Sequence, residues 1–385
     1  MNDFRQILPL LKRTEESHSG RDSIGNFEAQ HTDRRWNGTL YRPIADELLI
    51  HNFPHWREEI SWPDGKRFAA FLSHDVDSLQ LRSRTELVRT IRQHFTHGNG
   101  LSEKLRHILS LSGLRRSPQE IDIFTPWVEI EEKFGFRSTF FVFPTHVRKR
   151  HVIDNVYRWD DQIPYRGERC PARLMVRDLH SRGWDIGLHA SYLSFESYDM
   201  IAEQKNDVEQ ALGSNITASR HHNLHFESAL TPRLLDQASI KVDSTLGFNR
   251  DVGFRAGTSY PFRMWDQKQE QWLSIFEIPL VLHDGALLRP DNLDFDPESA
   301  VDLCKRLIDR VVETKGVVTL LWHPESIARR GWFEVYEKLL EYIQVQNGWG
   351  ASAHQIYEWW TAKNLNKKLE TMLDQLSAGR ISSEA

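Results

Sequence analysis

From residue 67 onward the chain alternates short β-rich runs with segments of helical periodicity, and that alternation limits the possible folds more than any other feature. The β-rich runs fall at 67–73, 137–143, 184–189, 216–221, 240–245, 274–282 and 316–322, which makes seven candidate strands. Helical periodicity occupies 171–182, 198–212, 228–238 and 297–314, so most connections read strand, helix, strand. Such connections imply a mainly parallel sheet, open or closed. Residues 333–344 and 354–376 read as closing helices, and 377–385 as a frayed tail. The first 65 residues are polar and irregular, with turn signals at Asn37-Gly38 and Pro63-Asp64-Gly65, and are expected to form an extension rather than a separate domain.

Composition narrows the function classes. Of 385 residues, 39% are hydrophobic and 27% charged, which supports a large core and excludes a mainly disordered chain. No apolar run reaches the roughly 18 residues that a spanning helix needs. Within 1–20 the only apolar stretch is 7–11, broken by Pro9, too short for a secretory leader, so a cytoplasmic location is expected. Cys170 and Cys304 are far apart without metal-site spacing, and are expected to be reduced thiols. A formal net charge of -5 argues against a general nucleic-acid binder. One basic stretch, 80–116, carries Lys and Arg at helical spacing between apolar residues and only Glu86 and Glu103 as acids. Peripheral contact with an anionic membrane is one reading of it, an exposed helical hairpin the other.

The strand exits carry the chemistry. They read Ser73-His74-Asp75-Val76-Asp77, Pro144-Thr145-His146, His189-Ala190-Ser191, Arg220-His221-His222, Asp243-Ser244, His283-Asp284 and His323-Pro324-Glu325. In parallel β/α architectures these exits share one face, where ligands bind. A single polar exit usually caps the next helix, but seven rich in His and Asp point to one cleft. Imidazole and carboxylate are the donors that zinc or a similar divalent ion takes, and such an ion makes water nucleophilic near neutral pH.

Several segments resemble the polysaccharide deacetylases of carbohydrate esterase family four, metal-dependent hydrolases with a distorted seven-stranded β/α barrel that remove acetyl groups from sugars. Phe71-Leu72-Ser73-His74-Asp75-Val76-Asp77 stands where the family has Thr-Phe-Asp-Asp-Gly, and Arg137-Ser138-Thr139-Phe140-Phe141-Val142 is similar to its second strand. Gly183-Trp184-Asp185-Ile186-Gly187-Leu188-His189 resembles the segment ending in a metal-binding His. Arg220-His221-His222 occupies the place of an Arg-Pro-Pro loop, and Leu321-Trp322-His323 is similar to the final Leu-x-His. The resemblance covers about 68–325. It implies a barrel over 66–350 with a helical insertion at 79–133, preceded by the extension 1–65 and followed by a C-terminal helix and tail at 351–385.

By the same resemblance Asp75 is the base, Asp77 and His189 are metal ligands, and His323 is the general acid. Two departures stand out. The family's paired aspartates are adjacent, whereas Val76 separates Asp75 from Asp77, and a one-residue bulge would restore the metal position. The family's second metal His, four residues after the first, is Leu193 here. His222 is expected to supply the missing nitrogen, with His221 and His225 as alternatives. The competing reading makes 221–225 a solvated loop or a reader of substrate hydroxyls. Arg220, His221, Asp243 and Arg255 are candidate substrate contacts, Arg255 because it sits in a glycine-punctuated loop and its planar fork suits carboxylate or phosphate.

The expected function is therefore a metal-dependent hydrolase, zinc the leading ion, acting on an acetylated carbohydrate: removal of an acetyl group from an acetamido sugar during surface-polysaccharide assembly. A non-catalytic saccharide-binding relative of the same barrel is the alternative. Metal-assisted hydrolysis of another amide or a phosphate is a third.

Overall fold

Strand β1 (Phe68–Val76) opens with the apolar run Phe-Ala-Ala-Phe-Leu and is buried at all nine positions, as a strand covered on both faces must be. A computed structural model, describing residues 4–81 and 121–377, sets β1 inside a ten-stranded sheet. Its neighbours on one side are β2 (Thr139–Val142), β5 (Asp185–Ala190), β6 (Ala218–His221) and β7 (Val242–Asp243) in that order. On the other side lie β11 (Val317–Leu321) and then β10 (Leu282–His283). Beyond β7 come β9 (Gln271–Glu277) and β8 (Phe262–Asp266), and β12 (Gly348–Ala351) runs along the first half of β1. Among the described residues of this sheet only the β8–β9 pair is antiparallel. Ser73 faces Leu321 on one side and Thr139 on the other, so the strand C-termini come out at one rim.

Every strand expected from the sequence is present, but the sixth is cut in two. Pro279 has no N–H for a ladder, and it falls between β9, which pairs with β7, and β10, which pairs with β11. Four residues, 278–281, thus carry the backbone from β9, beside one end of the strand order, to β10 at the other, and the curled sheet comes round on itself there without a continuous ladder. The result is the distorted β/α barrel that the sequence implied.

Four strands lacked a sequence signal. β8 answers β9, and β3 (Gln162–Tyr165) pairs with β4 (Glu168–Pro171) in a separate hairpin. The hairpin turn is Arg166-Gly167, both at positive φ, the backbone that two-residue hairpins favour. β12 reads Gly-Trp-Gly-Ala, and its second glycine leaves no room for a Cβ against the Phe136 ring. The closing helix expected at 354–376 is two helices, Ala353–Ala362 and Leu365–Ser377, broken where Asn364 takes positive φ.

The N-terminal segment and the C-terminal helices pack together on the sheet. Ile7, Leu11, Leu49, Trp56 and Trp62 from the N-terminal segment share one apolar cluster with Ile356, Trp360 and Leu369 and with Ala69, Phe71 and Val242 of the sheet. Trp56 meets Tyr260 edge-on at 5.7 Å and Trp360 at 6.3 Å. Of the insertion at 79–133, its C-terminal end is the helix Thr125–Phe134, while the basic stretch 80–116 lies outside the described residues apart from Gln80 and Leu81. Among the described residues no helix is long and apolar enough to cross a membrane, and Cys170 and Cys304 are unpaired.

Candidate active site

A cavity of about 180 Å³ opens at the strand C-termini, and Asp75, Asp77, His189, His222, His283 and His323 contribute to its wall. Asp75 and Asp77 reach it without a bulge. β1 keeps a regular register with β2 through Val76, so residues two apart share a face, and Val76 turns into the apolar core. The expected bulge is therefore absent: the Asp-x-Asp spacing on a strand aims both carboxylates the same way.

Asp77 is the centre of the cluster. Its Oδ1 lies 3.2 Å from His189 Nε2 and 3.8 Å from His222 Nε2, and its Oδ2 lies 3.7 Å from His323 Nε2. One donor atom each from Asp77, His189 and His222 falls within 4.8 Å of the others. Both imidazoles are held from behind. His189 Nδ1–H donates to the Arg220 carbonyl oxygen at 3.0 Å, and His222 Nδ1–H to Asp154 Oδ1 at 3.2 Å. These acceptors fix the tautomer, so each Nε2 faces Asp77, the arrangement that metal-ligating histidines adopt. Phe143 backs the two rings, with centroids 6.2 and 5.7 Å away. Asn155 Nδ2–H donates to Asp77 Oδ1 at 3.0 Å. The donor set and its orientation fit a divalent cation.

The two remaining reactive groups are also tethered. Asp75 Oδ1 accepts from Arg220 Nη1 at 2.9 Å, while its Oδ2 lies 3.9 Å from His189 Nε2. Arg220 is fully buried; it also donates to Ser73 Oγ and to the Ser244 carbonyl, and lies over the Phe141 ring at 4.5 Å. His323 donates through Nδ1–H to Asp284 Oδ1 at 2.8 Å and through its backbone N–H to Asp284 Oδ2 at 2.9 Å. That leaves Nε2 facing the cavity.

Charge follows from this packing. Burial works against ionised Asp77, but His222, His189 and His323 outweigh it and hold its pKa well below the usual carboxylate range. Burial would lower the His189 pKa, yet Asp75 and Asp77 raise it. His323 is pushed up to about 10, because the Asp284 carboxylate, its hydrogen bond and Asp77 overcome desolvation. Asp284 is held correspondingly low, against its own burial, by His323. Burial lowers His283 to about 4, so it is neutral beside the charged His323.

None of the four expected substrate contacts reaches the cavity wall; Arg220 is sealed in the core behind Asp75. His221 alternates with Arg220 and His222 on the chain and points away; both ring nitrogens are buried without a partner, and desolvation lowers its pKa to about 3. Asp243 is fully buried, accepts from Ser219 Oγ at 2.7 Å, and is raised to about 6 by burial. Arg255 is neutralised by Glu16 of the N-terminal segment, with Nε–Oε1 at 2.7 Å and Nη2–Oε2 at 3.0 Å, and its Nη1 donates to the Gly247 carbonyl. His225, the other alternative ligand, donates through Nδ1–H to Asn26 Oδ1 at 2.9 Å and packs between Tyr192 and Phe195. The histidine of the β2 exit, His146, also lies off the wall. Conversely, Asp154, Asn155 and Asp284 position the ligands and the acid, and had no assigned role in the sequence. Asp284 alone gave a signal there, as part of a polar strand exit.

No family model matches the chain, and no curated relative matches it. Among solved structures, Puue allantoinase is 12% identical, with 80% of this chain and 93% of that one covered at a TM-score of 0.52. A probable polysaccharide deacetylase from Pseudomonas aeruginosa PAO1 is 13% identical, with 80% and 93% covered at 0.50. A putative polysaccharide deacetylase from Mycobacterium smegmatis is 21% identical over 79% and 94%, at 0.48. The first two establish a shared fold: the deacetylase-type β/α barrel, on which an allantoinase is also built.

Proposed function

We propose that this chain is a divergent member of the polysaccharide deacetylases of carbohydrate esterase family four and hydrolyses the acetamide of an amino sugar. The observation that carries this reading is the triad of Asp77, His189 and His222, both imidazoles locked with Nε2 toward the carboxylate. In this reading His222, from the exit of β6, replaces the ligand lost at Leu193. Zinc is the ion this nitrogen and carboxylate set favours. When bound, the cation would supply Lewis acidity that activates water and polarises the acetyl carbonyl.

The chain's own groups would do the rest. Asp75, anchored by Arg220 and lining the cavity, takes the proton of the attacking water. Arg220, sealed in the core, keeps that carboxylate aimed. His323 presents Nε2–H to the departing amine, while Asp284 fixes its ring and favours its protonated form. The test is acetate release by the metal-loaded protein from a panel of N-acetylated amino sugars, neutral and acidic. Native protein should release acetate, and Asp75→Asn should slow it by about 10²- to 10⁴-fold. Release that is unchanged in Asp75→Asn, or absent in native protein, would reject the reading.

A further inference from the structure

Two guanidinium groups on the cavity wall, Arg250 and Arg289, have no part in the chemistry above. Arg250 lies in the loop that follows β7, and Arg289 ends the short helix Asp284–Leu288 that begins with the partner of His323. Nearby arginines are held by partners: Arg13 and Arg255 hold Glu16, and Arg34 donates through both terminal nitrogens to the Phe254 and Arg255 carbonyls, with only its Nε left over. Neither Arg250 nor Arg289 makes a side-chain hydrogen bond or ion pair among the described residues, and Arg289 Nε is buried without a partner. A buried donor without an acceptor is costly unless a ligand satisfies it.

The acids on the same wall do not neutralise them. Asp22 uses Oδ1 to accept the Ile24 and Asn26 backbone N–H groups, and Asp291 pairs with neither arginine. The two arginine-bearing loops are also tied together. Asn292 Nδ2 donates to the Asn249 carbonyl at 3.2 Å and to the Gly285 carbonyl at 2.8 Å, so the residue before Arg250 and the helix of Arg289 share one frame.

The geometry points to an anion subsite: Arg250 and Arg289 receive a carboxylate or phosphate on the sugar whose acetamide lies at Asp77 and His323, making the substrate an acidic amino sugar and not a neutral glycan. Guanidinium forks suit both anions. The claim rests on the deacetylase reading for the identity of the sugar, and its test is a binding experiment that needs no turnover.

Calorimetric titration of the full-length, zinc-loaded protein would use N-acetylglucosamine, N-acetylglucosamine 1-phosphate and N-acetylglucosaminuronic acid. At least one acidic sugar should bind roughly tenfold or more tightly than the neutral one, and the preferred acid identifies the anion. Arg289→Gln should abolish that preference. Arg250→Gln, at an exposed position that leaves packing intact, should reduce it. Equal affinities, no binding of either acid, or a preference that survives in both variants would overturn the subsite. Acid preference without acetate release would sink the deacetylase reading alone; release without acid preference would sink the subsite alone.

Discussion

Asp77 gathers three imidazoles around one carboxylate, and the residues behind those rings decide whether the cluster works. Asp154 is the clearest case: one oxygen accepts from His222 Nδ1 and from the Tyr192 N–H, the other from the His151 N–H. Asp154→Ala should weaken zinc binding by about 10- to 100-fold, the usual cost of losing an outer partner, measured by competition with a chromogenic chelator. Asp284→Asn should lower kcat for acetate release by about 10²- to 10⁴-fold with KM little changed, because the acid loses its charge partner while the cavity keeps its shape. Asp75, Asp77, His189, His222 and His323 were legible in the sequence because strand exits on one rim impose their convergence. Asp154 and Asn155 were not, since they arrive from a loop whose path is set by tertiary contacts. Arg255 misled for a related reason: Glu16, which captures it, lies in a segment whose sequence gives no hint of where it packs.

At the scale of elements, the alternation of strand and helix fixed the parallel order, and helices Tyr198–Leu212 and Pro297–Thr314 lie where periodicity placed them. Elements whose pairing replaces intrinsic preference escaped: β12 with its two glycines, and the split of β9 from β10 at Pro279. Close strand packing behind the site yields a test. A Cβ on Gly187 of β5 would lie 2.6 Å from the Phe141 ring and 3.0 Å from the Ala218 carbonyl oxygen. Gly187→Ala should therefore cost about 1–3 kcal/mol in urea unfolding, and displace the Phe141 ring that underlies Arg220.

For the whole molecule, the chain ends are fastened to the barrel by buried polar contacts as well as by the aromatic cluster. Asp46, on the helix Ile44–Asn52, accepts from the Ser259 N–H at 2.8 Å and from the Ser259 and Thr258 hydroxyls, and burial pushes its pKa up to about 7. A carboxyl near 4 when unfolded and near 7 when folded contributes stability that is complete below about pH 4 and is lost as pH rises through 7. Asp46→Asn should remove that slope, so urea unfolding at pH 4.5 and 7.5 should show the variant gaining on native protein at the higher pH. The central claim, however, concerns one cation per chain at Asp77, His189 and His222. Elemental analysis of zinc-dialysed native protein beside Asp77→Ala/His189→Ala tests it most directly. One equivalent of zinc in the native protein and none in the folded double variant is the predicted result; equal zinc in both, or none in either, would contradict the account.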